Sequence, residues 1–147
     1  MLVPTKILVP TDFSEYSDRA LEQALDIAKQ YRAKVYVLHV LVEELYHFED
    51  LGNIADVWQR MEGSRLVMAR QNLQNQLDKF PLSKEVEVFI NVRQGIPYDE
   101  ILKEEKEKGI DLIVIAFLGR TGIAKYFIGS VARNVLKGSK CQVLLTK

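Results

Sequence analysis

Gly119, Gly122 and Gly129 fall within "AFLGRTGIAKYFIGSVARNVL" (116–136), and Ser130 follows the last of them. The chain has only eight glycines, so three in one loop directly after an apolar run require a reason. Glycine lets backbone N–H groups approach an anion with no side chain in the way, and a helix beginning at 129–130 offers unpaired N–H groups carrying roughly half a positive charge. Ser130 adds a hydroxyl, and Arg120 and Lys125 add cations on the same loop. A polyphosphate fits that chemistry. The same residues also fit a turn followed by a helix cap, and composition weighs the two readings equally. Motif patterns leave the tie in place: "GRTGIAK" misses GxxxxGK[ST], with Ala124 at the second glycine and Tyr126 at the hydroxyl position, and GxGxxG is absent.

A second loop carries matching equipment. In "PTDFSEYS" (10–17), Asp12 supplies an acceptor for a ribose hydroxyl or a base amine, and Ser14 and Ser17 place hydroxyls at a helix start. Ligands of open parallel sheets sit outside the carboxyl ends of the strands, where the strand order reverses. If the strands before these two loops are neighbours, both loops face one crevice. Hydrolysis there would need a positioned water, a base and a metal held by carboxylates. Asp12 is the only carboxylate in the motif reading; His39 lies in an apolar strand and reads as structural, His47 has no apparent partner, and Cys141 reads as a small core residue. We therefore expect a non-enzyme with no catalytic residue and no metal ligand.

These loops need strands and helices to hold them. Apolar runs at 6–9, 34–41, 86–92, 111–117 and 142–146 read as five strands, the first and fourth rich enough in Val, Ile and Leu to be covered on both faces. Ala20, Leu21, Ala24, Leu25, Ala28 and Tyr31 recur at helical spacing behind an N-cap at Ser14. Trp58, Met61, Leu66, Ala69, Leu73, Leu77 and Phe80 trace a second helix over 56–80, stopped by Pro81, after an irregular segment that starts at 42. A third helix starts at Pro97 and ends at Gly109, and a fourth covers 129–139. The run "KEEKEKG" (103–109) reads as a solvated helix face. Strands alternating with helices predict an α/β domain with a mostly parallel sheet.

Bulk properties narrow the function classes. A chain of 147 residues with no linker or internal repeat is expected to form one domain, 1–147. Twenty basic and twenty acidic side chains cancel, so no bulk field draws it to nucleic acid or an anionic membrane. A single cysteine excludes an internal disulfide framework, and no signal peptide or run of about 18 apolar residues is present; a cytoplasmic location is expected.

At several spaced points the chain resembles the universal stress proteins. Their signature, GxxG, nine residues, then G[ST], lies here with its second glycine on Gly119, "RTGIAKYFI" between, and Gly129-Ser130 closing; the first glycine falls on Ala116. "ILVPTDFSEYSDRAL", "VLHV", "RQGIPYDEI" and "CQVLLTK" are similar to further parts of the family pattern, with Gln142 where proline is usual and Leu118 where a polar residue is common. The resemblance implies a Rossmann-like open parallel five-stranded sheet of order 3-2-1-4-5 with helices on both faces. It implies ATP, with or without Mg, as ligand: the base near Asp12 and Val40, the ribose near Pro10, Ile115 and Ala116, the phosphates near Gly119, Gly129, Ser130 and Val131, with Thr11 and Arg120 also among the nucleotide-binding residues. A positive φ at Ala116 would cost roughly 1–2 kcal/mol. A regulatory stress-response role follows, as a homodimer through the C-terminal strand acting on an unidentified protein partner. Two alternatives remain: a dimeric interaction protein that has lost ATP binding, and a slow ATPase.

Overall fold

The computed structural model describes residues 2–42, 54–119 and 128–147. His47, Arg120, Gly122 and Lys125, the 43–53 part of the irregular segment and the Trp58 side chain lie outside the described residues. Strands β1 (Lys6–Pro10), β2 (Lys34–Leu41), β3 (Val88–Gln94), β4 (Leu112–Ala116) and β5 (Gln142–Thr146) alternate with helices α1 (Glu15–Tyr31), α2 (Ile54–Asp78), α3 (Pro97–Lys108) and α4 (Ser130–Gly138). All four strand pairings are parallel, in the order β3-β2-β1-β4-β5. The α/β class, the five strands and their order are as expected.

Side chains alternate across the sheet with a period of two, and the sequence fills both faces. Ile7, Val9, Val35, Val37, Leu112 and Val114 pack beneath Leu21 and Leu25 of α1 and Leu73 and Leu77 of α2. Leu8, Val40, Ile113 and Ile115 face the other way, toward Ile101 of α3 and Ala132 and Val135 of α4. Cys141 is packed at the rim of this second layer, where burial pushes its thiol up to about 11. At the amino ends of the strands, the Asp111 carboxylate accepts from the Thr5 and Lys6 amides and the Thr5 hydroxyl, which clips β1 to the start of β4.

Local chemistry sets the helix limits. The Ser14 hydroxyl accepts from the Ser17 amide at 3.2 Å and starts α1, which ends on Arg32 at φ 57°. Pro97 opens α3, and Gly109 closes it at φ 65°. Two helix readings need correction. Tyr31 is exposed at the last turn of α1, and among the described residues of the α2 stripe Ala69, Leu73 and Leu77 are buried whereas Met61 and Leu66 are exposed. α2 also begins at Ile54 and ends at Asp78, and Pro81 opens a short 3-10 turn instead.

The charged run on α3 is not simply a solvated face. Glu104 is 1% exposed and Glu105 7%. Arg93 of β3 donates through Nε to Glu100 at 2.8 Å and through Nη1 to Glu104 at 2.9 Å and Glu107 at 2.8 Å. Glu105 Oε1 accepts from the Lys140 and Cys141 amides and the Ser139 hydroxyl. Spacing along one helix cannot reveal these partners, which come from a neighbouring strand and from the turn before β5.

Candidate functional site

The carboxyl end of β1 passes into a tight turn held from several sides. The Thr11 amide donates to Leu38 O at 2.9 Å, the Phe13 amide to Thr11 Oγ1 at 3.1 Å, and the Ser14 amide to Asp12 Oδ1 at 3.0 Å. Phe13 sits at φ 65°, a left-handed conformation that bulky residues rarely adopt. Its ring lies 4.3 Å from that of His39, whose Nδ1 is 2.8 Å from Thr11 O. His39 thus braces the turn, consistent with a structural histidine, and at the same time lines the crevice above it.

Thr11 lines the crevice, while its hydroxyl is engaged elsewhere. Its side chain turns into the protein, with Oγ1 at 2.9 Å from both Gln76 Oε1 and Ser17 Oγ. Gln76 is 3% exposed, and its Nε2 continues the network to Asp18 Oδ1 at 2.8 Å. The hydroxyl is used beneath the crevice, fixing α1 and α2 under the turn.

The second loop begins where β4 ends. Phe117 N donates to Thr146 O at 2.7 Å, and Gly129 N donates to Phe117 O at 2.9 Å, bringing the start of α4 back onto the strand end. A Cβ on Gly129 would lie 3.3 Å from Phe117 O, and one on Gly119 would lie 3.2 Å from Asp12 Oδ2. Both glycines therefore permit close approach. Gly129 is the N-cap of α4 with no side-chain cap, so the first turn presents N–H groups that no capping side chain satisfies. Ala116, by contrast, carries no backbone strain. It is a strand residue paired with Thr146, and the only described non-glycine residues at positive φ are Phe13 and Arg32. The conditional penalty at Ala116 does not arise.

Both loops border one crevice of about 610 Å³, within the range of roughly 300–1,000 Å³ for small-molecule sites. Pro10, Thr11 and Asp12 from the first loop, Val40 from β2, Ile115, Ala116 and Gly119 from β4 and its loop, and Gly129, Ser130 and Val131 from α4 all line it. Arg120 lies outside the described residues. Leu41, Val42, Arg65, Pro97 and Ile101 line it too and were missed. Pro97 had a signal, since a helix that follows β3 must start at the same sheet end. Arg65 had none: nothing in the α2 pattern marks it off from the other polar residues of that helix.

Comparison with known proteins decides the family. A family model described as the universal stress protein family matches residues 4–147. The chain belongs to the universal stress protein family. Universal stress protein YxiE of Bacillus subtilis is 32% identical over 146 residues, covering 97% of this chain and 98% of its own. The universal stress protein UspA from Lactobacillus plantarum superposes with a TM-score of 0.81 at 23% identity, with 97% of both chains covered. A universal stress protein from Archaeoglobus fulgidus, solved in complex with dAMP, has a TM-score of 0.68 at 21% identity and covers 99% of this chain and 100% of its own. As in other universal stress proteins, the fold is the open parallel sheet described above. No helix among the described residues is long and apolar enough to cross a membrane.

Proposed function

We propose that this universal stress protein binds an adenine nucleotide, ATP, with or without Mg, in the crevice at the carboxyl end of its sheet, and acts as a cytoplasmic regulatory module through a homodimer. The observation that carries the reading is the uncapped start of α4 beside Gly119 and Gly129, in a crevice of nucleotide size. Backbone N–H groups at a helix N-terminus favour anions, and the two glycines let a phosphate approach them. Asp12, from the neighbouring loop after β1, lies beside Gly119 as an acceptor for a ribose hydroxyl or an exocyclic amine. The dAMP complex of the A. fulgidus relative supports the ligand class.

We read the protein as non-enzymatic, since Asp12 is the only carboxylate among the described crevice residues and phosphoryl transfer relies on carboxylate-held metal and a positioned nucleophile. Binding would alter the surface presented to a protein partner.

Thermal unfolding of nucleotide-stripped protein tests the proposal. ATP at about 100 times its dissociation constant stabilises by roughly 2.7 kcal/mol, a rise of about 5–11 °C for a chain of this size. Gly129→Val crowds Phe117 O and Gly119 N, and we expect it to fold while losing most of that rise. AMP and GTP serve as comparisons for the phosphate and base contributions. No shift at millimolar ATP would overturn the reading in favour of a nucleotide-free interaction protein.

A further inference from the structure

Arg65 is the only lysine or arginine among the described residues lining the crevice. It is half-buried, it forms no ion pair among the described residues, and its Nη2 donates to the Val42 carbonyl at 3.1 Å. That bond hangs the guanidinium over the carboxyl end of β2. The anion-attracting start of α4 belongs to the end of β4, and β1 lies between the two strands. Two strand spacings separate those ends, about 10 Å. A nucleotide whose phosphates meet α4 would therefore extend its base toward β2, where the lining residues Val40, Leu41 and Val42 are apolar.

From this placement we infer that Arg65 covers the base of the bound nucleotide, stacking its planar guanidinium on the purine face while Val42 O holds it in place. The inference rests on the nucleotide reading above and deepens it. A guanidinium is planar, weakly hydrated and attracted to aromatic faces, whereas a lysine ammonium is a point charge with no flat surface. Arg65 has five N–H donors, and the bond to Val42 uses one of them, so it can stay anchored while its face contacts a ring.

Titration calorimetry of the full chain with ATP, AMP and adenosine, for wild type, Arg65→Ala and Arg65→Lys, tests it. We expect Arg65→Ala to weaken all three by about the same factor, on the order of tenfold, because they share the base, and Arg65→Lys to fall part of the way, since an ammonium keeps the cation–π attraction but has no flat surface to stack. Circular dichroism should confirm that both variants are folded, as expected for a half-buried helix position. Unchanged affinity in Arg65→Ala overturns the inference while leaving the nucleotide reading standing. So does a loss that is absent for adenosine, or one larger for ATP than for AMP; either result would mean that the charge meets phosphate. If wild type binds neither nucleotide, both the inference and the reading beneath it fail.

Discussion

Thr11 separates two roles that a motif merges. It borders the crevice, yet its hydroxyl bonds to Gln76 and Ser17 below, and Gln76 is almost fully buried. Thr11→Val keeps the shape and removes the partner of the buried Gln76 amide oxygen and of the Phe13 amide, while the Ser17 hydroxyl keeps Ser14 O and Gln76 Nε2. We expect a loss of about 1–3 kcal/mol, seen as a fall of roughly 2–12 °C in the unfolding midpoint, with little change in the shift that ATP produces. A similar loss of the ATP shift would mean that the hydroxyl meets ligand instead. The glycines were legible because their demand is local: Gly119 and Gly129 must be small where strand end, helix start and Asp12 converge. Thr11's inward turn was not legible, since its partners lie 6 and 65 positions away. Ala116 shows the opposite error, in which a family comparison raised a strain that an extended strand residue does not have.

Among the elements, α3 departs most from its sequence reading. Hydrogen bonding from Arg93 holds Glu100 and Glu107 below the usual carboxylate range, with Lys103 adding to the effect at Glu100. A carboxylate whose pKa is lowered on folding contributes stability above its unfolded pKa, and that contribution disappears as pH falls through the folded value. Stability from this cluster should thus be present at neutral pH and fade below about pH 4.5. Replacing Arg93 by Met leaves the buried Glu104 with Asn91 as its only described partner. We expect a cost of about 3–5 kcal/mol at pH 7, and the midpoint difference from wild type, followed by calorimetry from pH 7 down to pH 3, should narrow steadily. A constant difference would show that packing of the Arg93 stem, not charge, stabilises α3. Helix limits at Ser14, Pro97 and Gly109 were readable because capping is encoded within a few residues. The burial of α2 was not, because periodicity reports an apolar face without revealing which of its turns are covered.

At the scale of the whole molecule, β5 is a sheet edge, paired among the described residues only with β4 and presenting a partly exposed Leu144. An unpaired edge with apolar side chains favours self-association. We expect light scattering to give twice the 16.9 kDa of one chain, and Leu144→Lys to shift the protein toward monomer; a monomeric wild type would refute the homodimer. The strand and helix alternation was enough to read the α/β class, whereas the strand order came from family resemblance, because no local pattern states which strands are neighbours. That order also has a consequence for synthesis. β1 sits mid-sheet, and the Lys6 amide waits 105 positions for the Asp111 carboxylate that secures it to β4. At about 5–20 residues per second, one edge of β1 stays unpaired for roughly 5–20 s as the chain emerges. The nascent protein therefore passes through a stage with an open central strand, and the crevice can assemble only after most of the chain has left the ribosome.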